Sequence, residues 1–219
     1  MNKFFSIFSK IFLAPIVGMI FIKKITGRNN LPARNFILAS NHQSYLDIVL
    51  SGYVCVPKRF TYIGQVDREN KGWTFFRNFI YSVAEVIPVN RNDNESKSKA
   101  FDSAIRFLKK GYSLVIYPEG TRTRTGEIQE GKWGAAKIYL ATNVPIVPMG
   151  IRGAYELYPA GQKPKLKKIV ELNVGKPIYF EEYFEQAKNL SPDSEEYKNI
   201  CVAITNKVME EIKNLTYEN

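Results

Sequence analysis

The chain changes from apolar to polar within the stretch Phe36-Ile37-Leu38-Ala39-Ser40-Asn41-His42-Gln43-Ser44-Tyr45-Leu46-Asp47. Its continuous apolar run predicts a buried strand over residues 36–40. Ser44-Tyr45-Leu46-Asp47 has the S-x-x-D form of a capping box, which predicts a helix over residues 44–54 with Ser44 as N-cap. A strand that leads through a short turn into a helix is the repeating unit of an α/β fold.

His42 is the only histidine of the 219 residues, and imidazole is the side chain best suited to take a proton near neutral pH. On one continuous helix, His42 and Asp47 would lie about 140° apart and would not meet. If His42 lies on the turn before the helix, the Asp47 carboxylate can point back and hold the ring in one tautomer. The pattern therefore predicts a histidine–aspartate pair. The alternative is a helix-capping aspartate beside an ordinary core or surface histidine.

Strands and helices alternate along the rest of the chain. The further predicted strands are 60–63, 84–89, 113–117, 145–151 and 168–174, and the predicted helices are 72–81, 96–110, 134–141 and one that begins at Ser191-Pro192. This order predicts an α/β fold with a mostly parallel or mixed central sheet flanked by helices. We divide the chain into an N-terminal, membrane-anchoring helical segment at residues 1–30 and an α/β domain at residues 31–219.

The N-terminal segment is amphipathic, with apolar residues at helical spacing opposite a polar face: Phe4, Phe8, Ile11 and Phe12 against Lys3, Ser6, Ser9 and Lys10. Residues 11–22 carry no charge, yet as a helix they would rise about 18 Å, short of a hydrocarbon core of about 30 Å. Lysines on both sides favour a helix, or a broken helical pair, that lies in one leaflet and is attracted to anionic lipid. Two alternatives are a helix docked on the protein's own core and a full span.

The charge of the chain is strongly uneven. The net charge is +10, with +15 over residues 1–179 and −5 over residues 180–219. A basic body of this kind meets nucleic acid, an anionic membrane or phosphorylated substrates. The aromatic residues cluster with apolar neighbours rather than alternating with Lys and Arg, which disfavours nucleic acid. Two distant cysteines and one histidine provide no ligand set for a metal, so we expect none.

Four short segments are predicted to close or follow strands, where open α/β sheets bind their ligands: 41–47, 87–91, 117–122 and 144–150. Arg91 and Arg122 are permanent cations that grip a phosphate with paired donors. Gly120 permits a tight turn and the close approach of N–H groups to an anion. Glu119 is suited to order an arginine or to accept from a substrate hydroxyl, and Lys132 adds a third cation. Taken singly, each segment is also an ordinary turn or surface position.

Together and in this order, the segments resemble the motifs of the glycerolipid acyltransferase family, and of its 1-acylglycerol-3-phosphate acyltransferases in particular. Asn-His-x-x-x-x-Asp stands at residues 41–47, a strand ending in arginine at 86–91, Tyr-Pro-Glu-Gly-Thr-Arg at 117–122 and Val-Pro-Ile-Val-Pro at 144–148. The resemblance covers residues 30–155. Asn90 departs from the pattern, because an acid is common at that position in the family.

The resemblance implies an O-acyltransferase without a cofactor, which moves a fatty acyl group from an acyl-CoA or acyl carrier protein thioester to the free hydroxyl of lysophosphatidic acid. His42 would be the general base, a role worth about 10²–10⁴ in rate, and Asp47 would orient it and stabilise its charge. The acceptor's glycerol phosphate would be held by residues of the second and third segments and one cation beyond them: Arg91, Glu119, Gly120, Thr121, Arg122 and Lys132.

The resemblance also implies a membrane-associated protein at the cytoplasmic face, monotopic or peripheral. Its partners would be lysophosphatidic acid, the acyl thioester, an anionic membrane surface and, as a donor, acyl carrier protein, but no nucleic acid. Three other interpretations stay open. In the first, the enzyme acts on a different acceptor, either another lysophospholipid or a lyso-aminolipid. In the second, the protein is a basic nucleic-acid-binding protein. In the third, it is a membrane scaffold without catalysis.

Overall fold

Strands and helices alternate along the chain in a computed structural model, which describes residues 1, 3–65, 85–90, 92–159 and 161–218. The strands are β1 (Ile22–Thr26), β2 (Ile37–Ser40), β3 (Phe60–Gln65), β4 (Ile87–Val89), β5 (Ser113–Ile116), β6 (Ile146–Arg152) and β7 (Val170–Val174). The helices are α1 (Lys3–Phe8), α2 (Ala14–Ile20), α3 (Asp47–Cys55), α4 (Asn94–Lys109), α5 (Gly134–Thr142), α6 (Ala154–Leu157), α7 (Glu181–Ala187) and α8 (Glu195–Tyr217). A π-helical turn, Ser9–Leu13, joins α1 to α2, and a 3-10 turn, Arg28–Asn30, follows β1.

The strands of the described residues form one sheet in the order β1-β7-β6-β2-β5-β3-β4. Strand β2 runs parallel to β5 and β6, and β3 runs parallel to β4 and β5. Strand β7 is antiparallel to β6 and pairs in parallel with β1. The predicted α/β fold with a mixed central sheet is therefore confirmed, and the carboxyl ends of β2, β5 and β6 lie side by side.

Helices cover both faces of the sheet. Helices α4, α5 and α8 pack on one face, where Ile37 and Ile146 belong to the core. Helices α3 and α6 and the N-terminal segment pack on the other face, where Leu38 and Val147 belong to the core. Helix α8 crosses β6 so closely that a Cβ atom at Gly150 would lie 2.4 Å from the carbonyl carbon of Leu215. A side chain at position 150 would therefore push α8 off the sheet.

Several element boundaries differ from those expected from sequence. Helix α3 begins at Asp47 rather than Ser44, because the Ser44 hydroxyl donates to the Tyr158 carbonyl at 2.8 Å and the chain turns before the helix starts. The last helix begins at Glu195 rather than at Ser191-Pro192, because the Ser194 hydroxyl caps it by accepting the Tyr197 N–H at 3.2 Å.

Other elements were not predicted or cannot be compared. The sequence reading missed β1, α6 and α7, each of which is short. The predicted helix over 72–81 and the first residue of the predicted strand 84–89 lie outside the described residues. The division at residue 30 stays a prediction, and β1 joins the sheet from within the first segment.

Residues Lys3–Ile20 form a helical stretch with its apolar side turned away from the protein. It is long and apolar enough to cross a membrane by length and composition, with 18 residues and a mean hydropathy of 1.6. Ser6 and Ser9 face the protein, and the Ser6 hydroxyl donates to the Lys58 carbonyl at 2.8 Å. By contrast, Phe4 is 81% exposed and Met19 is 69% exposed. The predicted amphipathic helix is present. Its serines face inward and most of its large apolar side chains face outward, whereas Phe5 and Val17 pack against the core.

Candidate active site

Asn41 fastens the first motif to the neighbouring strand β6. Its amide Nδ2 donates to the Ile151 carbonyl at 2.8 Å, and its Oδ1 accepts the Ile151 N–H at 2.8 Å. The first and third motifs both follow carboxyl ends, of β2 and β5 respectively. The fourth segment does not, and the expectation that it closes a strand was wrong. Residues 144 and 145 precede β6, and residues 146–149 pair in parallel with residues 37–40 along the whole of β2, so most of this segment lies within the strand rather than after it.

His42 and Asp47 are in direct contact at the start of α3. His42 Nδ1 lies 2.8 Å from Asp47 Oδ2, which also accepts the N–H groups of Gln43 and Ser44 at 2.7 Å each. Both side chains are buried, and Asp47 is 0% exposed. An ionised carboxylate can only accept hydrogen bonds. In the neutral imidazole, Nδ1 therefore carries the proton and Nε2 is the basic nitrogen of the ring. The predicted contact between His42 and Asp47 is present, although the helix starts three residues later than expected.

Tyr117 supports the imidazole ring from one face. The two rings are stacked, with 4.1 Å between centroids and 12° between planes. The Tyr117 hydroxyl lies 3.0 Å from Ser51 Oγ, and burial together with the Asp47 charge raises the pKa of Tyr117 well above its ordinary value. Tyr117 therefore stays a neutral phenol. Sequence reasoning missed Ser51, although it lies one helical turn after Asp47 and so on the same side of α3.

Glu119 holds the backbone of His42. Its Oε1 accepts the His42 N–H at 2.7 Å, and its Oε2 accepts the Gln129 N–H at 2.9 Å. The His42 carbonyl accepts the Thr123 N–H at 2.9 Å, so both backbone polar groups of His42 are bonded by the third motif and the residue that follows it. Glu119 is 2% exposed, and burial raises the pKa of Glu119, while the hydrogen bonds from Gln129 and His42 oppose that rise. The contact of Glu119 with an acceptor stays a prediction.

Gln43 ties the first motif to the loop that follows the third. Its side-chain amide donates to the Gly126 carbonyl at 2.7 Å. The Thr121 side chain is exposed, and its carbonyl accepts from the Gln129 amide at 3.3 Å. These contacts were not predicted, because the partners are backbone carbonyls of a loop whose path the sequence does not reveal.

Two of the predicted phosphate-binding cations lie beside the motifs. The Arg122 guanidinium lies over the Tyr45 ring at 3.8 Å from its centroid, and its buried Nε has no partner among the described residues. The Lys132 ammonium lies 3.1 Å from the point that a Cβ atom at Gly120 would occupy, and Gly120 has a φ of +72°. The third predicted cation, Arg91, lies outside the described residues. Its role stays a prediction.

A surface depression at the start of α5 is lined by Lys132, Trp133, Gly134 and Lys137. Lysine ammonium groups and a helix start there provide positive charge close to Gly120. The described part of the chain contains no group of three or more His, Cys, Asp or Glu side chains arranged to hold a metal ion.

Comparison with known proteins finds similar sequences of one family. The sequence profile of the family described as Acyltransferase matches residues 23–152. The chain is 31% identical to the chloroplastic 1-acyl-sn-glycerol-3-phosphate acyltransferase of Brassica napus, over 81% of this chain and 51% of that protein. It is 28% identical to the 1-acyl-sn-glycerol-3-phosphate acyltransferase of Bacillus subtilis, over 71% of this chain and 73% of that protein.

Among solved structures, the fold is similar to that of the 1-acyl-sn-glycerophosphate (LPA) acyltransferase of Thermotoga maritima. The TM-score is 0.61 and the sequence identity is 23%, over 95% of this chain and 87% of that chain. The chain spans about half the length of the chloroplastic relatives that it matches in Brassica napus and Arabidopsis thaliana.

Proposed function

Since the chain belongs to the acyltransferase family, we propose that it transfers a fatty acyl group from a thioester to the free hydroxyl of 1-acylglycerol-3-phosphate and so forms phosphatidic acid. The observation that carries this proposal is the buried contact of His42 Nδ1 with Asp47 Oδ2 at 2.8 Å, next to the loop that bears Arg122. The names of the relatives support the acceptor. The donor is an acyl-CoA or an acyl carrier protein thioester.

His42 acts as the general base through Nε2. It takes the proton of the acceptor hydroxyl as that oxygen attacks the thioester carbonyl, and the imidazolium then returns the proton to the departing thiolate. One C–O ester bond forms, one C–S bond breaks, and no acyl group is carried by the protein. Asp47 stabilises the transient imidazolium, and Tyr117 and Glu119 keep the ring and its backbone in place.

The acceptor phosphate binds to Arg122, Lys132 and the N–H groups near Gly120, with Arg91 as a further contact. Support comes from Arg122, whose guanidinium lies 3.8 Å from the Tyr45 ring centroid and whose buried Nε has no partner among the described residues, and a guanidinium can bind a phosphate through paired donors. Lys132 lies over Gly120, where a larger residue would displace it. Glu119 and Thr121 border this anion site, Glu119 as the residue that holds His42 and Thr121 as an exposed neighbour.

The N-terminal helical stretch attaches the protein to a membrane at its cytoplasmic face. Phe4, Ile11, Phe12 and Met19 are each more than half exposed, and such a continuous apolar surface is unfavourable in water but suits the boundary between headgroups and acyl chains. The substrate and the product are amphiphiles that reside in the bilayer. An anchored protein therefore meets its acceptor where the acceptor is concentrated.

Acyl transfer by the purified chain in mild detergent tests the proposal. We expect phosphatidic acid from lysophosphatidic acid with either acyl-CoA or acyl carrier protein as donor. Lysophosphatidylcholine and monoacylglycerol serve as matched acceptors, because the first has a phosphodiester and the second has no phosphate. Preference for either of them over lysophosphatidic acid contradicts the proposed acceptor, and transfer to none of the three contradicts the proposed activity.

A further inference from the structure

An exposed loop connects the candidate active site to the end of the N-terminal helical stretch. Residues 161–169, which we name the lysine loop, are all exposed and contain no helix or strand. Shortly before the loop, the Tyr158 carbonyl accepts the Ser44 hydroxyl of the first motif at 2.8 Å. Directly after the loop, the Val170 N–H donates to the Phe21 carbonyl at 2.9 Å. The loop is thus fixed to the His42 motif at one end and to the residue that follows α2 at the other.

The lysine loop combines positive charge with exposed apolar side chains. Its sequence Lys163-Pro164-Lys165-Leu166-Lys167-Lys168-Ile169 contains four lysines, and Leu166 is 72% exposed. Within the described residues, no carboxylate lies within ion-pair distance of these four ammonium groups. The neighbouring acid, Glu171, already pairs with Lys23 at 2.8 Å and with Arg152 at 3.8 Å. The charge of the loop is therefore available to an external anion.

We propose that the lysine loop is a second membrane contact, which binds the headgroups of an anionic bilayer and turns the active site toward the lipid. This inference rests on the proposed membrane-associated function. Lysines near an anionic surface each contribute to binding, and an exposed leucine inserts at the headgroup boundary. A single interfacial helix sets the depth and opposes rotation of the protein about the helix axis only through its own apolar face. A second contact attached to the first motif adds to that resistance.

The bilayer suits the lysine loop better than an acidic protein does. The loop leads into Val170, which pairs with Ile22, the second residue after α2, so the loop lies next to the end of the helical stretch. Met19, near the end of α2, is 69% exposed, and Leu166 in the loop is 72% exposed. An acidic carrier protein would satisfy the lysines but would leave both of these apolar side chains in water.

Vesicle binding by the whole chain tests the proposal. In one variant Lys163, Lys165, Lys167 and Lys168 are all changed to Gln. A matched control removes the same charge from exposed positions of α4 and its end, namely Lys97, Lys99, Lys109 and Lys110, also to Gln. We expect the loop variant to bind vesicles of phosphatidylcholine with phosphatidylglycerol about 10–100 times more weakly than the wild type, and the control to bind within about threefold. On pure phosphatidylcholine, both variants should match the wild type.

A label at position 166 reports the contact directly. Cys55 and Cys201 are buried, so a polarity-sensitive dye attaches selectively to Leu166→Cys, and Ser98→Cys on α4 provides the control. We expect a blue shift at position 166 alone on anionic vesicles. Equal binding losses in loop and control variants, or an unshifted label, would overturn the proposal.

A loop variant that keeps vesicle binding but loses transfer from acyl carrier protein would overturn the proposal in favour of a protein partner. Activity on a water-soluble, short-chain lysophosphatidic acid is measured in parallel. It should stay within about twofold of the wild type in the loop variant, because neither the loop nor the membrane takes part in the chemistry. If the wild type is inactive on this acceptor, the proposed function fails. If the loop variant binds anionic vesicles as tightly as the wild type does, the loop proposal fails.

Discussion

Glu119 Oε1 accepts the backbone N–H of His42 at 2.7 Å. Residues 77 positions apart in the chain are thereby joined at the centre of the candidate active site. The same carboxylate reaches the Gln129 N–H through its other oxygen. The third motif therefore sets the position of the histidine that the first motif provides, in addition to carrying the cation Arg122.

Glu119→Gln separates a positioning role from contact with substrate. The amide can accept through only one oxygen, so one of the two N–H donors of His42 and Gln129 faces an NH₂ group. A buried mismatch of this kind costs about 1–3 kcal/mol. We expect kcat to fall about 10–100-fold, with the KM for lysophosphatidic acid nearly unchanged. Steady-state kinetics with varied acceptor check this, and a large rise in KM with normal kcat would show that Glu119 binds the acceptor directly.

Arg122→Gln should weaken binding of the phosphate. We expect the KM for lysophosphatidic acid to rise at least about tenfold, because a charge-assisted, paired contact is lost. An acceptor without phosphate should be affected little. Arg124→Gln is the matched control, since Arg124 is an exposed arginine of the same loop. Equal changes in the two variants would contradict a specific role for Arg122.

Tyr45→Leu tests the support of that arginine. The Arg122 guanidinium lies 3.8 Å from the Tyr45 ring centroid, and such stacking contributes about 0.5–2 kcal/mol. We expect a rise of about 3–10-fold in the KM for lysophosphatidic acid, and no further rise when Tyr45→Leu is added to Arg122→Gln. Additive effects in the double variant would mean that Tyr45 acts on the substrate by another route.

Gly120→Ala should strain the turn and displace a cation. The residue has a φ of +72°, and its Cβ would lie 3.1 Å from the Lys132 ammonium. Gly111→Ala is the control, because Gly111 has a φ of +79° with nothing within 4 Å of a Cβ. Each change should lower the free energy of unfolding by about 1–2 kcal/mol, but only Gly120→Ala should raise the KM for the phosphorylated acceptor. Thermal unfolding and acceptor titrations measure the two effects.

Cys55 should make the fold sensitive to alkali. Burial raises the pKa of Cys55 from 9.0 to about 12. Above pH 9 the unfolded chain releases this proton while the native state retains it, so the free energy of unfolding falls as pH rises. The slope from one such group approaches about 1.4 kcal/mol per pH unit until the native pKa is reached. In urea unfolding between about pH 9 and about pH 11, Cys55→Ala should lose less stability than the wild type. Parallel pH dependences would contradict this.

The sequence predicted the parts of the site that depend on local order. The spacing of His42 and Asp47 required a turn before the helix, and the apolar strands 36–40 and 113–117 placed two motifs after neighbouring strands. It misplaced the segment 144–150, because the Val-Pro-Ile-Val-Pro run indicates a strand but not that residues 146–150 form the body of β6 rather than its end.

Long-range contacts were beyond the reach of local patterns. The stacking of Tyr117 on His42 and the grip of Glu119 on the His42 backbone join separate strands, so they depend on sheet order. Strand β1 was missed because Ile22-Lys23-Lys24-Ile25-Thr26 reads as the charged end of an apolar segment, whereas Lys23 extends from the sheet edge to pair with Glu171 at 2.8 Å. The inward position of Ser6 likewise depends on the Lys58 carbonyl, which accepts its hydroxyl from a distant part of the chain.

The most direct test of the central claim is the kcat/KM of His42→Ala for acyl transfer to lysophosphatidic acid, in detergent and at saturating donor. Circular dichroism and the Tm establish that the variant is folded. If His42 Nε2 is the general base, kcat/KM falls by at least about 10²-fold while the variant still binds the acceptor. A folded His42→Ala protein that transfers acyl groups at the wild-type rate would contradict the account.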